Sequence, residues 1–134
     1  MANDAQARLT IGPAQWGPDA ERLLPAALAG ATLADLRNQV ENGAQLFHIC
    51  AGAAVVVALV LRVDHTATGS EGVIVAASGG LAGVDLVASC MPAIEAQFSG
   101  VSRYRIHTAR PGLVRKLAKQ GYGPREIVCY KEKQ

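Results

Sequence analysis

The spacing of apolar residues changes character along the chain, and each change marks a predicted element. Residues 7–11 are apolar enough for a short first strand, closed by Gly12-Pro13. Pro18 suits the opening of a helix, and Leu23, Leu24, Ala27 and Leu28 form an apolar stripe that lasts to Gly30. Thr32, with Asp35 three residues later, matches a capping box for a second helix. Leu33, Leu36 and Val40 line one face of that helix, and Asn42-Gly43 ends it.

From Leu46 the texture becomes extended. Residues 46–50 are a candidate strand, Gly52 a turn or bulge, and 55–63 an unbroken β-branched run of the kind found in strands covered on both faces. Residues 64–72, rich in Thr, Ser and Gly, predict a hairpin loop, and 71–77 a further strand central to the sheet. A glycine-rich turn at 79–83 leads into a helix starting near Val84. Val84, Val87, Met91, Ile94 and Phe98 mark its buried face, and Pro92 removes one backbone hydrogen bond and predicts a kink.

Three elements close the chain: a strand at 103–108, a helix at 112–120 and a strand at 126–131. The helix is short, basic and amphipathic, with Leu113, Val114 and Leu117 on one face and Arg115, Lys116 and Lys119 on the other; Gly121 supplies a left-handed stop. The order β-α-α-β-β-β-α-β-α-β is an α+β plan with an antiparallel meander followed by β-α-β crossovers. It predicts one domain over residues 1–134, with a central mixed sheet of about six strands flanked by about four helices.

Composition fits this picture. A chain of 134 residues, 50% of them hydrophobic, has the size of one domain and can bury a real core. Cys50, Cys90 and Cys129 are odd in number, far apart and set in apolar runs, which reads as buried free thiols in a reducing compartment. The apolar run 51–61 is shorter than the roughly 20 residues a bilayer requires, and Arg62 and Asp64 close it. With no basic n-region or secretory h-region near Asp4 and Arg8, a soluble cytoplasmic protein that avoids membranes is expected.

The net charge is +2, but residues 100–134 carry +7 and residues 1–99 carry −5. Arg103, Arg105, Arg110, Arg115, Lys116 and Lys119 are therefore candidates for docking on something anionic: coenzyme phosphates, nucleic acid or an acidic protein partner. The alternative is a set of ordinary solvated faces. With aromatics at only 4%, a stacking platform for single strands is poorly supported, so nucleic acid is not the expected partner.

The strand at 103–108, the helix Pro111-Gly112-Leu113-Val114-Arg115-Lys116-Leu117-Ala118-Lys119-Gln120-Gly121 and the aromatic Tyr122 resemble the C-terminal end of the GNAT superfamily of N-acetyltransferases. The order of elements is similar to that family over nearly the whole chain. The resemblance implies a GNAT-like fold and acetyl-CoA as cofactor. It also implies main-chain contacts to the pantetheine at Val73, Ile74 and Val75, and a pyrophosphate cradle at Gly79, Gly80, Leu81, Ala82 and Gly83.

Several positions depart from the family pattern. The Arg or Gln that opens its "Arg/Gln-x-x-Gly-x-Gly/Ala" signature has no counterpart, and Asp85 places a negative charge near the helix start, where it suits the helix dipole. The tyrosine that protonates the departing thiolate in the family would fall on Leu117, which cannot act as an acid. The asparagine often found after the fifth strand is replaced at His107-Thr108-Ala109-Arg110.

Two side chains remain as catalytic candidates. His107, on the face of its strand that carries Arg103 and Arg105, could act as a base or be a plain exposed histidine. Glu71 could deprotonate an amine through water or be a loop-end carboxylate, while Tyr104, on the opposite face, suits the core. His48 and Cys50 share a strand face, but no further ligands accompany them, so no metal is expected.

Residues 83–88 and 112–117 also resemble small GNAT-like proteins encoded among the virion genes of tailed bacteriophages. Two functions follow as expectations. One is an acyl-CoA dependent N-acetyltransferase with degenerate catalytic motifs. The other is a non-catalytic virion or assembly protein, in a host cytoplasm or virion and able to form a homo-oligomer, whose basic C-terminal third binds an acidic partner.

Overall fold

The computed structural model describes residues 9–28, 31–108 and 110–133. Residues 7 and 8 of the predicted first strand, Gly30 and Ala109 lie outside them. The described residues form strands β1 (Leu9–Pro13), β2 (Gln45–Ala51), β3 (Ala54–Thr66), β4 (Gly69–Gly79) and β5 (Arg103–Ile106). The helices are α1 (Pro18–Leu23), running into a 3₁₀ turn (Leu24–Ala27), α2 (Leu33–Glu41), α3 (Leu86–Glu95) and α4 (Pro111–Ala118). The sheet order is β1-β2-β3-β4-β5, antiparallel from β1 to β4 and parallel between β4 and β5. This is the α+β mixed sheet expected, with five strands rather than about six.

The apolar run in β3 is explained by burial on both faces. Val57, Leu59 and Leu61 meet Phe47, Ile49 and Ile74 beneath Cys90, Met91 and Ile94 of α3 and Leu117 of α4. Ala58 and Val60 meet Leu46 and Ala76 beneath Ala20, Leu24 and Leu36 on the α1–α2 side. Alternate residues of one strand thus serve two cores, so polar residues are absent from its middle.

Local signals at helix ends hold well. Thr32 Oγ1 accepts from the Asp35 N–H at 3.1 Å, and Asp35 Oδ2 accepts from the Thr32 N–H at 3.0 Å, completing the capping box. Gly121 takes φ +89°, and the Tyr122 N–H reaches the Leu117 carbonyl at 3.1 Å while the Gly121 N–H reaches Ala118 at 3.2 Å. That pair of bonds is a Schellman motif, and the left-handed residue between them favours glycine. Pro92 lies within α3, which nonetheless continues to Glu95.

Other expectations are corrected. The hairpin predicted at 64–72 is much tighter, because Asp64, His65 and Thr66 pair with Glu71, Ser70 and Gly69. Val114 is 44% exposed, and Tyr122 joins Leu113 and Leu117 against the core in its place. Tyr104 is also exposed, at 38%, with its ring 5.8 Å from that of Phe98. The strand predicted at 126–131 does not form: those residues are exposed and unpaired with any described strand. A β-branched segment forms a strand only where an edge receives it. Of the cysteines, all free, Cys90 is buried and its thiol is pushed up by burial, Cys50 is half-buried, and Cys129 is exposed rather than buried.

Gly79 marks the tightest backbone approach. At φ +149°, a Cβ there would stand 1.9 Å from the Val56 carbonyl oxygen, whereas one at Gly80 would meet nothing within 4 Å. We predict that Gly79→Ala lowers stability by about 3 kcal/mol or more, through the clash and the strained φ, while Gly80→Ala is close to neutral. Thermal or urea unfolding of the two variants beside the wild type checks this.

Candidate functional site: the opening between β4 and β5

β4 is long and β5 short. They share only the rungs from Glu71–Arg103 to Ile74–Ile106, after which β4 continues to Gly79 without a partner on that side. The break coincides with an irregularity on the other side of β4. Leu61 pairs with Ile74 and Val60 with Ala76, so Val75 is the extra residue of a β-bulge. A bulge bends its strand and frees the main chain of the unpaired residue. Val73 and Ile74 are held in both ladders, whereas Val75 has a partner in neither.

The free stretch of β4 ends in the Gly79–Gly83 turn before α3. The Gly80 N–H donates to the Val56 carbonyl at 3.0 Å and the Val84 N–H to the Leu81 carbonyl at 3.1 Å. The N–H groups of Leu81, Ala82 and Gly83 have no backbone acceptor among the described residues. Asp85 is the N-cap of α3 and accepts from the Ala88 N–H at 3.2 Å, the role suited to an acidic residue at a helix start. Lys116 from α4 brings its Nζ to 3.9 Å from the Asp85 carboxylate, so a cation stands beside this turn.

At the opposite end of the β4–β5 ladder lies an ion network. The buried Glu71, 7% exposed, accepts from Arg103 Nε through one oxygen and from Arg105 Nη1 at 2.8 Å through the other. Arg105 Nη2 continues to Asp64 at 2.9 Å, Asp64 to Arg62 Nε at 2.7 Å, and Arg62 Nη1 to Gln39 on α2 at 2.7 Å. The Arg103 hydrogen bond, opposed by desolvation, holds the Glu71 carboxyl below its ordinary range, and the Arg62 hydrogen bond does the same for Asp64. Glu71 is therefore a structural anion with both oxygens engaged. Arg105 Nε is buried without a partner.

The sequence candidates are thus divided. Arg103 and Arg105 are occupied by Glu71 and Asp64, while Arg110, Arg115, Lys116 and Lys119 remain exposed on or beside α4. His107 is exposed just after the last β5 rung. Leu117 is buried, and Tyr122 donates its hydroxyl to Glu95 at 2.7 Å, with burial pushing its pKa well above the ordinary phenol value. His48 lies part-buried with Nε2 unpaired, and among the described residues no His, Cys, Asp or Glu cluster could hold a metal. The Val75 bulge and Lys116 beside the turn had no distinct signal in the sequence, because both depend on register between separate elements.

No protein-family model and no curated protein matches the sequence. Solved structures are similar over nearly the whole chain. An acetyltransferase from Trypanosoma brucei aligns with a TM-score of 0.66 at 14% identity, over 93% of this chain and 99% of its own. The fold is GNAT-like. A transcriptional regulator from Bacillus halodurans aligns with a TM-score of 0.63 at 15% identity, over 93% and 99% of the two chains. Glucosamine-6-phosphate N-acetyltransferase from Arabidopsis thaliana aligns at 0.57 and 13% identity, over 94% and 99%. At such identities the likeness is one of fold.

The network gives stability a pH dependence. Both carboxyls titrate below their unfolded values, so their contribution is complete above about pH 5 and is lost as the pH falls through their depressed folded values. We predict a falling melting temperature on acidification, with Glu71→Gln melting several degrees lower at pH 7 and flattening that pH dependence. Calorimetric scans across acidic pH measure both.

Proposed function

We propose that this protein binds an acyl-coenzyme A in the opening between β4 and β5 and transfers its acyl group to an amine. The observation that carries this reading is the Val75 bulge, set where β5 leaves β4 and continued by a free strand edge into a turn with unpaired N–H groups. The residues fit the ligand. Val75 offers an unladdered N–H and C=O to the amide-bearing pantetheine, and Leu81, Ala82 and Gly83 offer N–H groups to the pyrophosphate. Gly80 leaves open space above the turn, and Lys116 offsets the charge of Asp85 and adds a cation for phosphate.

Bound there, acetyl-CoA would supply an activated thioester to the incoming amine. Main-chain donors at a strand edge suit this chemistry because they stabilise developing negative charge without titrating. Glu71 does not serve as the proton acceptor, since Arg103 and Arg105 engage both oxygens and keep it a weak base. His107, exposed at the corner where the strands part, takes that role in this reading.

A second reading has its own support. Leu117 is packed in the core where the family places its acid, and Glu71 is locked in ion pairs. Those observations favour a protein that keeps the GNAT fold for binding or assembly, including the phage virion role, with α4 presenting its basic residues to an acidic partner.

Calorimetric titration with acetyl-CoA, followed by an amine panel, separates the two. We predict micromolar binding, weakened about tenfold or more by Gly80→Glu through charge repulsion and by a few-fold in Lys116→Ala. His107→Ala should retain binding and lose most amine-dependent release of free thiol. No binding at millimolar ligand would remove the transferase reading, and binding without turnover would leave the second.

A further inference from the structure

We propose that the acyl group reaches this site on a protein: the preferred donor is a small acidic carrier whose thioester hangs from a phosphopantetheine arm, and α4 is the surface on which that carrier docks. The inference rests on the acyl-transfer reading above and names the class of donor. The first observation is charge without compensation. Residues 96–125 hold seven Lys or Arg and no Asp or Glu. Arg103 and Arg105 are engaged by Glu71 and Asp64. The other five, Arg110, Arg115, Lys116, Lys119 and Arg125, are exposed, and among the described residues only Lys116 of these forms an ion pair. The second observation is an apolar centre among those cations. Val114 is 44% exposed, and Ala118, one turn further on, is exposed too. The two share a face of α4, with Arg110 one turn before Val114 and Arg115 and Lys119 on the adjoining ridge. An apolar patch rimmed by charge has the layout of a protein interface, whereas the phosphates of a nucleotide need cations alone.

The third observation is position. Lys116 brings α4 to 3.9 Å from the carboxylate of Asp85, the N-cap of α3, just after the turn whose Leu81, Ala82 and Gly83 N–H groups have no backbone acceptor among the described residues. A phosphodiester held on that turn has α4 beside it. In acyl-coenzyme A the outer substituent of that phosphate is a nucleotide, and on a carrier it is the protein itself. The inner substituent, pantetheine and thioester, is the same in both, so the opening beside Val75 serves either donor. The outer surface separates them, and unpaired cations around Val114 match an acidic protein face. Transfer balances in the same way from either donor. The amine nitrogen attacks the thioester carbonyl, and the C–S bond breaks as the C–N bond forms. The nitrogen loses one proton to His107 and on to solvent, and the departing thiolate takes one from solvent. The products are an amide and a carrier with a free thiol.

Titration calorimetry and thiol release on the full chain, with one amine and two donors, test the inference. The donors are acetyl-CoA and a bacterial fatty-acid acyl carrier protein bearing an acetyl-phosphopantetheine arm. The loaded carrier should give a kcat/KM about tenfold or more above that of acetyl-CoA, with the advantage shrinking as salt is raised. Arg115→Ala with Lys119→Ala should weaken carrier binding about tenfold and leave acetyl-CoA binding within about twofold. Val114→Ser should weaken carrier binding by a smaller factor, an effect that charge attraction alone does not produce. All three positions are exposed, and an unchanged circular-dichroism spectrum verifies the fold of each variant. Acetyl-CoA used as well as or better than the loaded carrier, or carrier binding indifferent to these substitutions, would overturn the inference and leave transfer from acyl-CoA standing. Failure of both donors to bind would overturn the acyl-transfer reading together with it.

Discussion

The four-rung parallel ladder between Glu71–Ile74 and Arg103–Ile106 is the joint through which the C-terminal part of the chain is attached to the sheet. Parallel pairing over so few residues is weak in itself. It is reinforced where Glu71 draws Arg103 and Arg105 onto one buried carboxylate, with Asp64 and Arg62 extending the network to α2. At the other end of the ladder, the Val75 bulge turns β4 out of register and the strands part. The short ladder thus has a firm anchor at one end and a bulge just past the other.

The anchor also sorts the basic residues. The C-terminal third carries a large excess of positive charge, but its two strand arginines are neutralised inside the fold. The charge left for an external anion lies on and beside α4, and Lys116 is directed towards the N-terminus of α3. The acidic cap there satisfies a helix N–H, while the N–H groups of the preceding turn stay available. The fold thus separates charge used for cohesion from charge available for recognition, and the separation follows from burial, because an unpaired charge survives only near water.

β5 therefore has two separate dealings with its surroundings. One side is paired to β4 over four rungs; the other is an edge with no strand among the described residues against it. The apolar C-terminal segment has the complementary deficit, side chains suited to a sheet with no sheet beneath them.

Features that depend on neighbours along the chain were legible in the sequence. The capping box at Thr32 and Asp35, the helix stop at Gly121, the doubly covered β3 and the order of elements all rest on local hydrogen bonding or side-chain periodicity. The resemblance of residues 111–122 to the GNAT pattern pointed to a fold that the solved structures share. Other features depend on which residues face one another across the sheet. The Val75 bulge arises from the register of β3 on β4, the capture of Glu71 from the register of β4 on β5, and the approach of Lys116 to Asp85 from the packing of α4 beside α3. The strand expected at 126–131 shows the same limit from the other direction. Its residues carry the propensity for a strand, but a strand is completed by hydrogen bonds to a second segment, and only the tertiary arrangement decides whether one is within reach.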